Sequence, residues 1–256
     1  MCFLSRTHSL ARALSLSPTF SLALSLALSL ALSLSLRRLA YESNGSVYMD
    51  LNAFRSAGHG YPKLEPSKGK ATEAEMAESE GTHTAAAGEK RSASDFALWK
   101  ASKAGEPFWE SPWGGGRPGW HIECSVMASD LMGGNMDVHA GGSDLKFPHH
   151  DNELCQSEAY HGCDQWVNHF WHFGHLAIKG LKMSKSLKNF ITIRQALEDF
   201  TPRQIRLFFL LQPWDRRIDF SDQTVNEAKV RRIENPKGWG ATGRGGHATT
   251  EPASHA

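Results

Sequence analysis

Two lysines close together in one short segment are the first candidates for chemistry in this sequence. The segment reads Lys182-Met183-Ser184-Lys185-Ser186. Lysine is a flexible point charge, and a loop that carries two lysines can close over a polyphosphate and stabilise the charge that develops as a phosphate bond breaks. Taken alone, the pentapeptide could also be a basic surface turn. Lys182 and Lys185 are therefore candidate phosphate-binding residues.

A second group of residues has the chemistry of a metal site. His149 and Glu153 are at positions i and i+4 of a helix that Pro148 is expected to open, so they share one face. Cys124 is on the preceding predicted helix and can meet them across a sheet. Thiolate, imidazole and carboxylate all bind zinc, although a lone buried cysteine or a lone histidine is more often structural. By spacing alone the triplet is compatible with a zinc site, and a structural role for each residue stays open.

A short glycine-containing loop indicates a nucleotide site. Gly141-Gly142-Ser143-Asp144 follows a predicted strand and precedes a predicted helix. Glycine allows a ligand to approach the backbone closely, and an aspartate can accept hydrogen bonds from ribose hydroxyls. A strand-to-helix turn that binds nothing would explain the same residues, so this motif is weak by itself.

Longer motifs surround these residues. They are Gly116-Arg117-Pro118-Gly119-Trp120-His121-Ile122-Glu123-Cys124-Ser125, His139-Ala140-Gly141-Gly142-Ser143-Asp144-Leu145 and Phe147-Pro148-His149-His150-Asp151-Asn152-Glu153. With these motifs and the lysine loop, residues 41 to 229 resemble cysteinyl-tRNA synthetase, a class I aminoacyl-tRNA synthetase, in its eukaryotic cytosolic form.

The resemblance implies an activity and a use for the metal. The activity is that of a cysteine–tRNA ligase, in which cysteine is activated by ATP to cysteinyl-adenylate and transferred to tRNA(Cys). Cys124, His149 and Glu153 would hold one Zn²⁺ together with a fourth protein ligand, and the zinc would take the thiol of the substrate cysteine. Trp120 would line the amino-acid pocket, with a core aromatic at a helix start as the alternative.

The resemblance also implies roles for the phosphate and nucleotide residues. Gly141, Gly142, Asp144 and Lys185 would bind ATP, which enters with Mg²⁺. Lys185 would steady the pyrophosphate, and Lys182 would support it.

The sequence departs from the family in several respects. Ala140 stands where glycine is more usual, which would cost about 1 kcal/mol if the backbone there needed a positive φ. The class I signature His-Ile-Gly-His is absent, and none of Cys2, Cys155 and Cys163 is a convincing fourth zinc ligand. We therefore expect a truncated copy or an incomplete gene model that lacks the N-terminal half of the catalytic domain and is inactive by itself.

Two other functions stay open. One is a related ligase that activates cysteine and transfers it to a small amine. The stem-contact segment predicted over 191–232 and the insert predicted over 66–93 argue against it. The other is a non-catalytic fragment that binds zinc or RNA.

The elements that must position these residues alternate between helix and strand, which indicates an α/β fold. The fold class expected is the second half of a class I synthetase Rossmann-like catalytic domain, followed by an α-helical stem-contact segment, with disordered termini. Helices are predicted over 120–132, from Pro148 to about Tyr160 and from Thr201-Pro202, and strands over 136–139 and 169–178.

The predicted segments, in chain order, differ in composition. They are a low-complexity repeat or possible transit segment (1–40), a strand-containing part of the catalytic domain (41–65), a disordered insert (66–93), the catalytic half with the zinc site and lysine loop (94–190), a stem-contact helical segment (191–232) and a disordered tail (233–256).

Composition limits the partners and the compartment. The net charge of +1 gives no overall field for nucleic acid, so tRNA contacts would need local patches. Four cysteines and 13 histidines suit a reducing compartment and a metal site better than a disulfide framework. The expected location is cytoplasmic, with an organelle as the alternative, and no membrane partner is expected.

The Ser-Leu and Ala-Leu repeat of residues 5–36 has three interpretations: a signal peptide or membrane span, an organellar transit peptide, or a translated repeat with no evolved role. Serine at alternate positions weakens the first. We expect residues 5–36 and 237–256 to make few long-range contacts, even if the repeat is helical.

Overall fold

The computed structural model describes residues 18–68, 88–178, 180–183 and 188–234. The chain divides into two compact units, Met1–Phe173 and Gly174–Ala256. The predicted strand over 169–178 is divided at this boundary, because Gly174 and His175 separate two strands that belong to different sheets. The predicted tail, 237–256, lies outside the described residues.

The first unit contains an antiparallel sheet, a parallel strand pair and several helices. Its elements are α1 (Pro18–Leu36), β1 (Ala40–Ser43), β2 (Ser46–Met49), α2 (Leu51–Ser56), a 3-10 turn (Pro66–Lys68), β3 (Phe96–Ala101), β4 (Gly116–Pro118), α3 (Trp120–Met132), β5 (Met136–Gly142), a π-helical turn (Lys146–His150), α4 (Asp151–His161) and β6 (Val167–Phe173). The helix predicted over 120–132 is confirmed as α3, and the helix predicted from Pro148 corresponds to the π-helical turn and α4.

The antiparallel sheet begins with a hairpin. Strands β1 to β4 pair in chain order, and the hairpin between β1 and β2 turns at Asn44 and Gly45, which have φ of 52° and 76°. Asn-Gly is the preferred pair for such a turn because both residues adopt positive φ with little strain. The segment 41–65, which was predicted to contain strands, therefore takes part in this hairpin.

Helix α1 packs into the core of the first unit, so the prediction that the repeat makes few long-range contacts is wrong for its described part. Leucine at alternate positions suggests a strand, but leucine and alanine are the strongest helix formers. In the helix, residues three or four positions apart form one apolar stripe, whose fully buried members include Ala27, Ala31 and Leu34. Leu36 lies on another face and is 85% exposed. Residues 5–17 of the repeat lie outside the described residues.

Membrane insertion finds no support in the helices. In the described part of the chain, none of them is both long enough and apolar enough to cross a membrane.

The end of the predicted insert is attached to the hairpin. Tyr48 Oη donates to Glu89 Oε2 at 2.8 Å, the backbone N–H of Arg91 donates to Tyr41 Oη at 2.7 Å, and the guanidinium of Arg91 lies 4.1 Å from the centre of the Tyr41 ring. The disorder predicted for 66–93 is therefore wrong for its last residues, because these polar contacts hold them. Residues 69–87 lie outside the described part.

Strands β5 and β6 form a two-stranded parallel sheet next to α3 and α4. Strand β5 is longer than predicted, since Ala140, Gly141 and Gly142 continue its ladder with β6. Ala140 does not have a positive φ, so the strain considered for it does not arise. Several large apolar side chains of this sheet are exposed, among them Val138 at 45% and Trp171 at 52%.

The second unit contains a small three-stranded sheet and three helices in its described part. Its elements are β7 (Leu176–Ile178), β8 (Leu181–Lys182), α5 (Ile193–Asp199), α6 (Pro202–Leu210), β9 (Ile218–Phe220) and α7 (Asp222–Glu234). Strand β7 is central and pairs antiparallel with β8 and parallel with β9.

Helix α6 begins where it was predicted. Thr201 caps it reciprocally with Gln204, and Pro202 occupies its first turn. The sequence also led us to expect that its apolar residues from Ile205 to Leu211 pack inward, and this is wrong for several of them. Phe208 is buried against α7 residues, whereas Leu210 is 81% exposed, because a run of consecutive apolar residues covers all sides of a helix and only one side meets a neighbour.

Candidate metal centre

The structure brings together the three side chains predicted to bind a metal. A ligand atom from each of Cys124, His149 and Glu153 lies within 4.8 Å of the other two. His149 Nε2 donates to Glu153 Oε1 at 2.7 Å across one helical turn. Cys124 approaches from α3 and is half-buried, while the other two residues are buried. The expected convergence is therefore observed, including the shared helical face of His149 and Glu153.

Helix α3 can present Cys124 here because its first residue follows a glycine. The N–H of Gly119 donates to the carbonyl of Leu98 at 2.9 Å, and a Cβ at position 119 would collide with the carbonyl of Ala97. Glycine is therefore needed for the helix to start against β3. The motif containing Gly119 and Cys124 therefore determines where α3 begins as well as supplying the cysteine.

Burial and hydrogen bonds control the charge of Glu153. Burial by itself would raise its pKa, but hydrogen bonds from His139 and His149, together with the charges of these imidazoles, lower the pKa to about 2. His139 Nε2 donates to Glu153 Oε2 at 2.7 Å. The carboxylate is therefore ionised at neutral pH and has one oxygen directed to each histidine.

The pKa of the Cys124 thiol is raised, whereas that of Glu153 is lowered. Burial raises its pKa to about 12, and the nearby charges of Glu153 and Glu123 act in the same direction. A thiol in this position holds its proton at neutral pH unless a cation is bound next to it, because metal binding requires the thiolate and releases the proton.

A network of histidines surrounds the triplet, and the sequence interpretation assigned none of them a role. His121 Nδ1 lies 2.7 Å from His149 Nδ1, and His150 Nδ1 lies 2.9 Å from His172 Nε2. Of the four surrounding histidines that had no assigned role, three lie inside the quoted motifs, namely His121, His139 and His150, and His172 does not. The sequence feature that could have indicated this network is the high density of histidine near Cys124, His149 and Glu153.

Trp120 forms a partly exposed wall over the triplet. Its ring stacks on His149 with a centroid separation of 4.1 Å and an interplanar angle of 27°. The side chain is 47% exposed, so Trp120 is not the core aromatic considered as the alternative. A ligand that reaches His149 from solvent would contact the indole.

The glycines of the predicted nucleotide site lie at the carboxyl end of β5. Gly142 pairs with Phe173, and the N–H of Ser143 then donates to the Phe173 carbonyl at 2.7 Å. The carboxylate of Asp144 folds back, so that a Cβ on Gly142 would lie 2.5 Å from Asp144 Oδ1. The carboxyl ends of parallel strands are where α/β folds commonly bind ligands.

The two lysines belong to the second unit. Lys182 pairs with Ala177 at the end of β8, and the N–H of Met183 donates to the carbonyl of Leu176 at 3.1 Å. Lys185 lies outside the described residues. The backbone of β8 therefore anchors the start of the lysine segment.

Comparison with known proteins gives close relatives for most of the chain. The "Cysteine--tRNA ligase, cytoplasmic" of Dictyostelium discoideum is 64% identical over 191 residues, which is 74% of this chain and 29% of that protein. The proteins of the same name from Drosophila melanogaster and Homo sapiens are 57% and 56% identical, and each is covered over 26% of its length. The chain thus spans less than a third of these relatives.

A family model agrees with these relatives. The model described as "tRNA synthetases class I (C) catalytic domain" matches residues 22–230, a range that begins within α1 and ends within α7. The chain therefore belongs to the family of class I (C) tRNA synthetase catalytic domains.

Proposed function

We propose that this chain is part of a cysteine–tRNA ligase, which activates cysteine with ATP to cysteinyl-adenylate and transfers it to tRNA(Cys). The observation that carries the proposal is the convergence of Cys124, His149 and Glu153 beneath the exposed ring of Trp120. The names of the relatives, at 56% to 64% identity, support the same reaction.

The donor set fits zinc. One thiol, one imidazole and one ionised carboxylate are established zinc ligands, and their ligand atoms are already within 4.8 Å of one another. Bound zinc would bind a thiolate more strongly than a hydroxyl, and it would therefore favour cysteine over serine as the substrate. An apolar pocket alone would distinguish such similar substrates by only about 10- to 200-fold.

The protein residues around the donors have separate tasks in this proposal. Glu153 supplies negative charge, and His139 holds it in place through the 2.7 Å hydrogen bond to Oε2. Trp120 covers His149 on the solvent side and would contact the bound amino acid. Its half-exposed face leaves a route for cysteine to enter.

ATP would bind at the carboxyl end of β5. Gly141 and Gly142 allow the nucleotide to approach the backbone, and Asp144 is exposed in the turn that follows. Lys182 and Lys185 would neutralise the phosphates with Mg²⁺, and Lys185 would act on the pyrophosphate in the transition state.

The second unit would contact tRNA through local basic patches. Arginines on or near its helices are all exposed: Arg194, Arg203, Arg206, Arg216 and Arg217. Arginine forms bidentate contacts with phosphate, and such contacts position a nucleic acid without reading its sequence. A cytoplasmic location is proposed from the names of the relatives.

Calorimetry on the zinc-loaded chain tests the proposal. Cysteine should bind and serine should bind much more weakly, because only the thiol provides a good zinc ligand. Cys124→Ser removes a direct ligand from the triplet and should therefore abolish cysteine binding to the zinc-loaded chain.

The control is Cys163→Ser, another half-buried cysteine, which is outside the triplet. It should leave zinc and cysteine binding unchanged. Equal binding of cysteine and serine, or unaltered cysteine binding in Cys124→Ser, would contradict the proposal.

A further inference from the structure

A second set of ligand atoms lies on the other side of Glu153. One ligand atom from each of His139, His150 and Glu153 is within 4.8 Å of the other two. The set does not include Cys124 or His149. It combines the middle of β5, the π-helical turn and α4, so three elements contribute one donor each.

Glu153 can serve both sets because its two oxygens are directed to different sides. Oε1 accepts from His149 Nε2 and Oε2 accepts from His139 Nε2, each at 2.7 Å. The carboxylate is 1% exposed and ionised, so it supplies a fixed negative charge at the second set as well. A cation there would take the place of the proton on His139 Nε2.

His150 is held with one ring nitrogen in use and the other available. Its Nδ1 is 2.9 Å from His172 Nε2, so a proton on His150 Nδ1 leaves Nε2 with a free lone pair. Metal-binding histidines typically have such an outer partner on the second nitrogen.

The backbone of β5 passes close to this ring. A Cβ on Gly141 would lie 3.0 Å from His150 Nε2 and 2.7 Å from Cε1. A side chain at position 141 would therefore collide with the imidazole. Glycine allows His139 and His150 to be brought together at this point of β5.

The surroundings suit a partly enclosed site with an entrance. The His139 ring lies 4.3 Å from that of His150 and has Phe170 at 5.5 Å, centroid to centroid. His150 is 2% exposed, whereas the His139 side chain is 21% exposed and could admit an ion from solvent.

We propose that His139, His150 and Glu153 form a second divalent-cation site, of the zinc-binding class, which does not require Cys124. Two imidazoles and one glutamate are the donor set of a known type of zinc centre with an open position. A hydrogen-bonded pair of His139 and Glu153 without any cation is the simpler alternative, and the experiment separates the two. The site does not depend on the ligase activity proposed above.

The test uses Co²⁺ as a spectroscopic substitute for zinc in the metal-free full chain. Cys124→Ala removes the thiolate from the first set. This variant should still bind one equivalent of Co²⁺, with visible d–d absorption and no sulfur-to-cobalt charge-transfer band. Adding His139→Gln should weaken this binding by at least about 100-fold, since a direct ligand contributes more than an outer partner.

Two further variants of Cys124→Ala refine the result. His172→Ala should weaken Co²⁺ by about 10- to 100-fold, because it removes only the partner of His150. His169→Ala, at an exposed position of the same strand, should have no effect. Near-UV circular dichroism of each variant shows whether the fold is kept. Absence of Co²⁺ binding by folded Cys124→Ala, or unchanged binding after His139→Gln, would overturn the proposal.

Discussion

The imidazoles of His121 and His149 meet through their Nδ1 atoms, which are 2.7 Å apart. Without a cation, His149 Nε2 donates to Glu153, so a neutral His149 must accept at Nδ1 and His121 must donate. A cation at His149 Nε2 would reverse this arrangement, with His149 Nδ1 donating to His121. His121 can therefore form a hydrogen bond with His149 Nδ1 both with and without a cation at His149 Nε2.

Replacing His121 should weaken zinc binding although His121 is not a proposed ligand. His121→Ala removes the group that holds the His149 ring through Nδ1, and loss of such an outer partner typically weakens a metal by about 10- to 100-fold. Competition with a chelator gives the affinity. His161→Ala, which removes a histidine paired with Ser129 away from the triplet, is the control. An affinity that does not change in His121→Ala would argue against this support.

The stability of the metal-free chain should fall as the pH is lowered below about 6.5. Burial lowers the pKa of His121 from 6.5 to about 3 and that of His150 to about 4. In this window the unfolded chain binds more protons than the folded chain, so the free energy of unfolding decreases with falling pH, by up to about 1.4 kcal/mol per pH unit for each such group.

Urea unfolding at several pH values from about 7 to about 5 measures this slope. His121→Asn should reduce it, because one of the groups that must take up a proton is gone. The exposed His169→Asn should leave it unchanged. A flat profile for the parent chain would contradict the assignment of buried neutral histidines.

Two leucines of α1 should differ in their effect on stability. Leu34 is 0% exposed and Leu36 is 85% exposed, two residues away on the same helix. Leu34→Ala should lower the free energy of unfolding by about 2 to 5 kcal/mol through lost burial and a cavity. Leu36→Ala should change it by less than about 0.5 kcal/mol. Urea denaturation of both variants checks this, and equal small effects would mean that α1 does not contribute to the core.

Lys185 should act on the rate rather than on cysteine binding. In a longer chain that also has the family's His-Ile-Gly-His segment, Lys185→Ala should lower kcat strongly and leave the KM for cysteine nearly unchanged, because the charge is needed mainly in the transition state. ATP–pyrophosphate exchange measures both values, and the exposed Lys103→Ala is the control.

The same assay tests the expectation that the 256-residue chain is inactive alone. The resemblance implies that the His-Ile-Gly-His histidines, which do not occur in this sequence, bind the phosphates together with Lys185, and positioning is most of the catalytic effect in this chemistry. Robust exchange by the chain would refute this expectation, and an unchanged kcat in the longer Lys185→Ala variant would refute the role of the lysine.

Local chemistry made several features predictable from the sequence. Asn44-Gly45 determines a tight turn through its backbone preferences, and the turn is present. The spacing of His149 and Glu153 places both on one helical face whatever the helix packs against, and they are in contact. These features depend on residues close together in the chain, so periodicity and dihedral preference are sufficient to predict them.

Only the tertiary structure decided the rest. His172 reaches His150 because β6 pairs with β5 in a particular register, and no local pattern contains that register. Likewise, a repeat with leucine at alternate positions does not say which leucines are buried. Leu34 is buried because the helical period turns it towards the core, whereas Leu36 faces away. Contacts between distant segments depend on how the elements pack, and that information is spread over the whole chain.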